Sequence, residues 1–260
     1  MKIISLIENT SNTNLKPKHG LCLYIEALNH KILFDLGPDE TFIKNAQLKN
    51  INLKDVDMVI ISHGHIDHGG GLKSFLKINT KAKIYIQESA FEKHYSKFLC
   101  FNINVGLKDI ISNRICRING DYVINDNMRL FTSKGKTLQS PMNNSLLDKN
   151  KRKDEFNHEQ NLLIKDSQTV LIMGCGHKGV INIIESSNEN IDVCIGGFHL
   201  YDPITKKVVD ERYLDKLSDS LSKYNTKFYT CHCTGKKCYA YLSNKNKNIN
   251  YLSCGEEINL

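Results

Sequence analysis

Three imidazoles and a carboxylate fall within six residues in Ser62-His63-Gly64-His65-Ile66-Asp67-His68-Gly69-Gly70-Gly71. Neutral imidazoles and a carboxylate at that density are the ligand set of zinc, manganese or iron. His63 and His65, two residues apart, project to one side of an extended backbone and can bind one cation. Asp67 and His68 come where the chain turns and can face a second cation. The glycines that follow allow a tight bend beneath the metals before a helix starts near Leu72. The preceding run Met58-Val59-Ile60-Ile61 is continuously apolar, as in a strand of a sheet covered on both faces.

A binuclear site needs further ligands, expected at the ends of later strands. Phe156-Asn157-His158-Glu159-Gln160 precedes a hairpin, and Gly174-Cys175-Gly176-His177-Lys178-Gly179 lies at a strand-to-helix turn. Gly196-Gly197-Phe198-His199-Leu200 and Cys231-His232-Cys233-Thr234-Gly235 end the next two strands. Scattered core or solvated histidines would not cluster at strand ends in this way. Cys231, Cys233 and Cys238 lack the paired Cys-x₂-Cys spacing of a separate metal knot.

The elements that must position these residues alternate. Strands are expected at 2–8, 21–28, 31–36 and 83–86, a hairpin at 162–164 and 169–173, then strands at 191–196, 226–230 and 249–253. Helices are expected at 69–77, 88–98, 177–187, 208–224 and 235–243. Short strands at 114–118, 121–125 and 128–132 precede a loop over 133–146, long enough to be a functional lid. This mixture is layered α/β construction.

With 260 residues and 40% apolar content, the chain can bury a sizeable core as one domain over 1–260. It has no run of 18 apolar residues and begins with what reads as a strand, so a soluble, cytoplasmic protein without a membrane span is expected. Nine cysteines are an odd number for a disulfide framework, and Cys22, Cys100, Cys116 and Cys194 read as small core residues. The net charge of +7 favours an anionic partner. The basic cluster Lys149–Lys153 has no interleaved aromatics, so nucleic acid is not the expected one.

His-x-His-x-Asp-His after a buried strand resembles the signature of the metallo-β-lactamase superfamily. Further motifs resemble its branch labelled 7,8-dihydropterin-6-yl-methyl-4-(β-D-ribofuranosyl)aminobenzene-5′-phosphate synthase. These are Glu8-Asn9-Thr10, His19-Gly20, His158-Glu159-Gln160, Gly174 to Gly179, Gly196 to Leu200 and His232 to Gly235. The resemblance implies a four-layer αββα sandwich and two divalent metal ions, most simply zinc, with manganese or iron as alternatives. It gives His63, His65 and His158 to one metal, and Asp67, His68 and His232 to the other. The superfamily's bridging Asp is replaced here by Cys175, which would favour zinc; the competing ligand is His177. Asp35 is expected to hold the metal loop by hydrogen bonds.

The expected chemistry is attack by a metal-bridging hydroxide oriented by Asp67, with His177 or His199 giving a proton to the leaving group. His19, His199 and Lys178 are candidate substrate contacts, Lys178 through a phosphate at a helix N-terminus. A hydrolase of a small phosphoester or cyclic ester is the first expectation, and the branch's label implies a substrate related to pterin and ribosyl phosphates. An iron-dependent redox enzyme and a superfamily nuclease are the alternatives.

Overall fold

A computed structural model describes residues 1–260. Two seven-stranded sheets dominate it. The first runs Glu257–Asn259, Lys2–Ile7, Cys22–Ala27, His30–Phe34, Met58–Ile60, Lys83–Gln87, Ile115–Ile118. The second runs Ile249–Tyr251, Lys227–Thr230, Val193–Gly196, Thr169–Ile172, Asn161–Lys165, Met128–Phe131, Tyr122–Asn125. Leu146–Leu147, Tyr95–Phe98 and Phe101–Asn104 form a small third sheet.

Alternation along the strands sorts side chains into three cores. Leu23, Ile25, Ile32, Phe34 and Ile60 of the first sheet meet Leu130, Leu162, Ile164, Ile172 and Ile195 of the second in a core between the sheets. The opposite face of the first sheet packs Tyr24, Leu33 and Val59 on Phe42, Ala46, Leu72 and Phe75 of the helices Thr41–Leu48 and Leu72–Ile78. The outer face of the second sheet packs Leu163, Leu171 and Phe228 on the helices Val180–Ser186, Glu211–Leu221 and Lys236–Lys245. Helix, sheet, sheet, helix is the expected four-layer sandwich.

Two expectations are corrected, and one strand is added. Residues 88–98 are a 3₁₀ turn, Glu88–Phe91, followed by the strand Tyr95–Phe98, because Ser96 and Phe98 pair with Ile103 and Phe101 across a hairpin. Cys100 sits exposed at the tip of that hairpin rather than in a core. A final strand, Glu257–Asn259, pairs antiparallel with Lys2–Ile7 and ties the two chain ends together. No helix is long and apolar enough to cross a membrane.

Met58–Ile60 lies between parallel neighbours, as do Val193–Gly196 and Lys227–Thr230. In both sheets the strand exits meet at one edge of the sandwich, where the α/β layering leaves a crevice for chemistry.

Candidate metal centre

The chain leaves Met58–Ile60 at Ser62 and delivers His63 and His65 as an extended pair before a helical turn, Ile66–Gly69, that carries Asp67 and His68. From the second sheet, Thr169–Ile172 ends at Cys175 and His177, two residues apart around Gly176 at φ +62°. Lys227–Thr230 ends at His232. His63, Cys175 and His177 bring their donor atoms within 4.8 Å of one another, and so do His68, Cys175 and His232. Cys175 belongs to both groups.

The spacing within each group decides what it is for. His63 Nε2 faces His65 Nδ1 at 3.1 Å, His68 Nε2 faces His232 Nε2 at 3.2 Å, and Cys175 Sγ is 3.2 Å from His68 Nε2. Asp67 Oδ2 is 3.2 Å from His232 Nε2 and 3.3 Å from His19 Nε2. Tetrahedral bonds of roughly 2.0–2.1 Å place ligand nitrogens about 3.3 Å apart, so these separations suit donors converging on cations. Nε2 of His65, Nε2 of His177 and Nδ1 of His199 are buried with no hydrogen-bond partner, and all three lie at this centre. Buried polar atoms are rarely left so. The donor set therefore fits divalent metal.

Three of the rings are held from behind. Asp35 accepts from Ser62 N–H and Ser62 Oγ at 2.7 Å and lies 2.6 Å from His68 Nδ1. Asn9 Oδ1 meets His232 Nδ1 at 2.8 Å while its amide donates to the His232 carbonyl at 3.0 Å. Asn143 grips His177 in the same manner, and Phe156 stacks on that ring with planes 3° apart. With Nδ1 occupied, His68, His177 and His232 are left to ligate through Nε2.

Comparison with known proteins agrees with this geometry. The metallo-beta-lactamase superfamily profile matches residues 15–142. A solved metal-dependent hydrolase of the β-lactamase superfamily is 26% identical and superposes with a TM-score of 0.81, covering 100% of this chain and 99% of that one. The chain has the metallo-β-lactamase fold. It is 29% identical over 269 residues to the 7,8-dihydropterin-6-methyl-4-(β-D-ribofuranosyl)-aminobenzene-5′-phosphate synthase of Methanocaldococcus jannaschii, covering 91% of this chain and 88% of that one. It is 28% identical over 249 residues to an uncharacterized protein of the same organism, covering 93% of each.

Within this metallo-β-lactamase fold, several predicted residues stand elsewhere than the motifs suggested. His158, expected beside His63 and His65, has its ring centroid 6.0 and 5.5 Å from theirs, but both of its ring nitrogens are engaged. Its Nδ1 accepts from Gly64 N–H at 2.9 Å and its Nε2 faces Asp154 Oδ2 at 3.3 Å. His177 also adjoins the pair, with ring centroids 4.9 Å from His63 and 5.1 Å from His65, and its Nε2 is free. Cys175 and His177, weighed as alternatives, are thus brought together. Lys178 is buried and lines neither cavity at the centre; its N–H donates to Glu159 Oε2 at 2.9 Å. The helix after it, Val180–Ser186, has Gly179 as its N-cap and no side-chain cap. His199 lines the cavity, with a ring nitrogen within 4.8 Å of the sulfurs of Cys175 and Cys233. His19 lies at the rim, its ring 4.8 Å from that of His232.

Burial keeps most of the centre neutral. His63, His65 and His177 are held well below the ordinary imidazole value by burial and by neighbouring imidazoles, His158 among them. Burial acts the same way on His68, but Asp35 and Asp67 outweigh it and raise the ring to about 9. Asp67 stays ionised: burial opposes its charge, and His68, His19 and His232 pull its carboxyl well below the usual range.

Sequence reasoning gave no role to Asn143, Asp154 or Glu159. Asn143 is 34 residues from His177 and has no motif around it. Glu159, inside a recognised motif, accepts from the backbone N–H groups of His177 and Lys178 and so shapes the turn that carries His177.

Proposed function

We propose that this chain is a binuclear metal-dependent hydrolase acting on a small anionic ester, a phosphoester or a cyclic ester. The observation that carries the reading is the pair of ligand groups sharing Cys175 on the floor of a cavity. His63, His65 and His177 would hold one divalent cation, Asp67, His68 and His232 the other, with Cys175 between them. Two such cations supply Lewis acidity and an activated water at neutral pH.

The chain's own residues then bind and orient. The cavity above the donors, about 270 Å³, is walled by Ile66, Val105, Met142, Leu146 and Ile204, which exclude water and suit a flat or apolar portion of a substrate. A wider trough of about 720 Å³ adjoins it past His19 and His232 and is lined by Lys206, Lys236 and Lys237, with no acidic side chain among its walls. Those lysines support an anionic substrate. His19, whose Nε2 faces Asp67 at 3.3 Å, is placed to hold a proton for a leaving group at the rim. A phosphorylated ribosyl compound, suggested by the name of the Methanocaldococcus relative, is the first substrate class to assay.

The test joins metal content with turnover. Chain purified without chelator should carry about two divalent ions at the binuclear centre and hydrolyse an activated phosphodiester, with activity abolished by chelation. Lys236→Ala with Lys237→Ala should raise KM for anionic substrates with little change in kcat. A chain that stays free of metal after reconstitution, or a metal-loaded chain inert toward every phosphoester and lactone, would sink the proposal.

A further inference from the structure

Cys233 immediately follows a metal-site histidine, yet belongs to neither ligand group. Its sulfur lies together with Cys175 Sγ and a ring nitrogen of His199, all within 4.8 Å of one another. The three residues are 3%, 8% and 3% exposed for Cys175, His199 and Cys233, and all three line the cavity over the binuclear centre. We infer that Cys175, His199 and Cys233 form a third metal position, selective for a soft cation, on the cavity side of that centre.

The donor types set the selectivity. Two thiols and an imidazole, with no carboxylate, suit zinc, cadmium or copper(I) and disfavour magnesium, calcium and manganese. Three protein donors leave a coordination position open, and here the open side is the cavity. Nδ1 of His199 is buried without a hydrogen-bond partner, a vacancy that a protein group does not fill. The trio His94, Asp154 and His158 makes the contrast. Its donor atoms are equally close, but the carboxylate already partners a nitrogen of each ring and the remaining nitrogens meet Ser89 O and Gly64 N–H, so nothing is left for a cation.

The backbone is built to hold this pair of sulfurs open to each other. His199 sits at φ +49°, in the left-handed region that a residue with a side chain adopts only when its surroundings require it. The surroundings do: His199 N–H donates to Cys233 Sγ at 3.3 Å, and Leu200 and Tyr201 N–H both donate to the Cys233 carbonyl, at 2.9 and 3.0 Å. Ser140 Oγ secures the His199 carbonyl from the other side. A Cβ at residue 197 would lie 2.3 Å from Cys233 Sγ, so Gly197 is what admits the sulfur.

This position rests on the reading of the binuclear centre, because it shares Cys175 with it. The test titrates the metal-free, full-length chain with cadmium ions, counting them by native mass spectrometry and following thiolate-to-cadmium absorption. The wild type should bind about three cadmium ions and Cys233→Ala about two, with roughly half of the absorption lost as one of two thiolates disappears. Retention of the other two ions reports an intact fold and an intact binuclear centre. Cys233→Ser, which keeps the side chain's size, should lose the same ion, which separates lost ligation from lost packing. His199→Ala should keep both thiolate signals while weakening the third ion at least about tenfold. A wild type that saturates at two ions, or a Cys233→Ala chain that still binds three, overturns the third position alone. A wild type that binds none overturns the binuclear reading and this position with it.

Discussion

The side-chain oxygen of Asn143 lies 3.0 Å from His177 Nδ1, and the amide of the same residue donates to the His177 carbonyl at 2.7 Å. Asn143 belongs to the short 3₁₀ segment Pro141–Ser145, whose neighbours Met142 and Ser145 line the cavity. The cavity wall and a metal-site ring are therefore one mechanical unit. Because the Asn143 amide donates to a carbonyl, its oxygen must accept, which places the proton of His177 on Nδ1 and frees Nε2. Asn143→Ala is expected to lower metal affinity about 10–100-fold while leaving the fold intact. Equilibrium dialysis against zinc checks this, with far-ultraviolet circular dichroism as the fold control; unchanged affinity would make the grip incidental.

His177 and His158 give opposite expectations. His177→Ala removes a donor of the first group and should strip metal and turnover together, from a chain that still folds. His158→Ala should retain metal but lose stability by about 1–3 kcal/mol, since Gly64 N–H and Asp154 each lose a buried partner. Elemental analysis and urea melts of the two variants separate them. If His158→Ala loses metal and His177→Ala keeps it, the ring positions have been misread.

Cys175 tests the identity of the shared donor. Its sulfur replaces the carboxylate that the superfamily often has after a glycine at this strand end, and sulfur shifts preference toward soft cations. Cys175→Asp is expected to reduce affinity for zinc and raise it for manganese, with activity recoverable in manganese. Competition between the two ions, read by elemental analysis, decides it. An unchanged zinc-to-manganese ratio would show that the sulfur does not ligate.

Much of this centre is legible from residue order together with the family resemblance. His63, His65, Asp67 and His68 follow an apolar strand at spacings that only need the strand to end where it does, and Asp35 was recognisable as support for that loop. Cys175, His177, His199 and His232 were found by the same rule. What spacing does not encode is which way a ring turns. His158 precedes the strand Asn161–Lys165 as a ligand should, but the buried carboxylate of Asp154, four residues before it, draws its Nε2 away. The segment 88–98 has helical composition, yet pairing with residues 101–104 outweighs local propensity. Asn9 and Asn143 act through contacts spanning 223 and 34 residues, invisible until the two sheets face each other.

The buried histidines also fix how the metal-free chain responds to pH. His63, His65 and His177 titrate well below their ordinary value of about 6.5 because burial penalises their charged forms. Below pH about 6.5 the unfolded chain takes up these protons and the native chain does not, so stability falls as pH falls. Each such proton contributes a slope of about 1.4 kcal/mol per pH unit, and three give about 4. His68 has the opposite sign. Its native value is raised to about 9 by Asp35 and Asp67 against the pull of burial, so its stabilisation is complete below about 6.5 and is lost as pH rises toward 9. Stability of chelator-treated protein should therefore peak near pH 6.5, with a steep acid limb and a shallower alkaline one. Urea midpoints measured from pH 5 to 9 give both slopes. Asp35→Asn should flatten the alkaline limb while leaving the acid limb steep, because it removes the main charge that holds the proton on His68. A profile that is level between pH 5 and 6.5 would mean that these rings are not buried neutral before metal arrives.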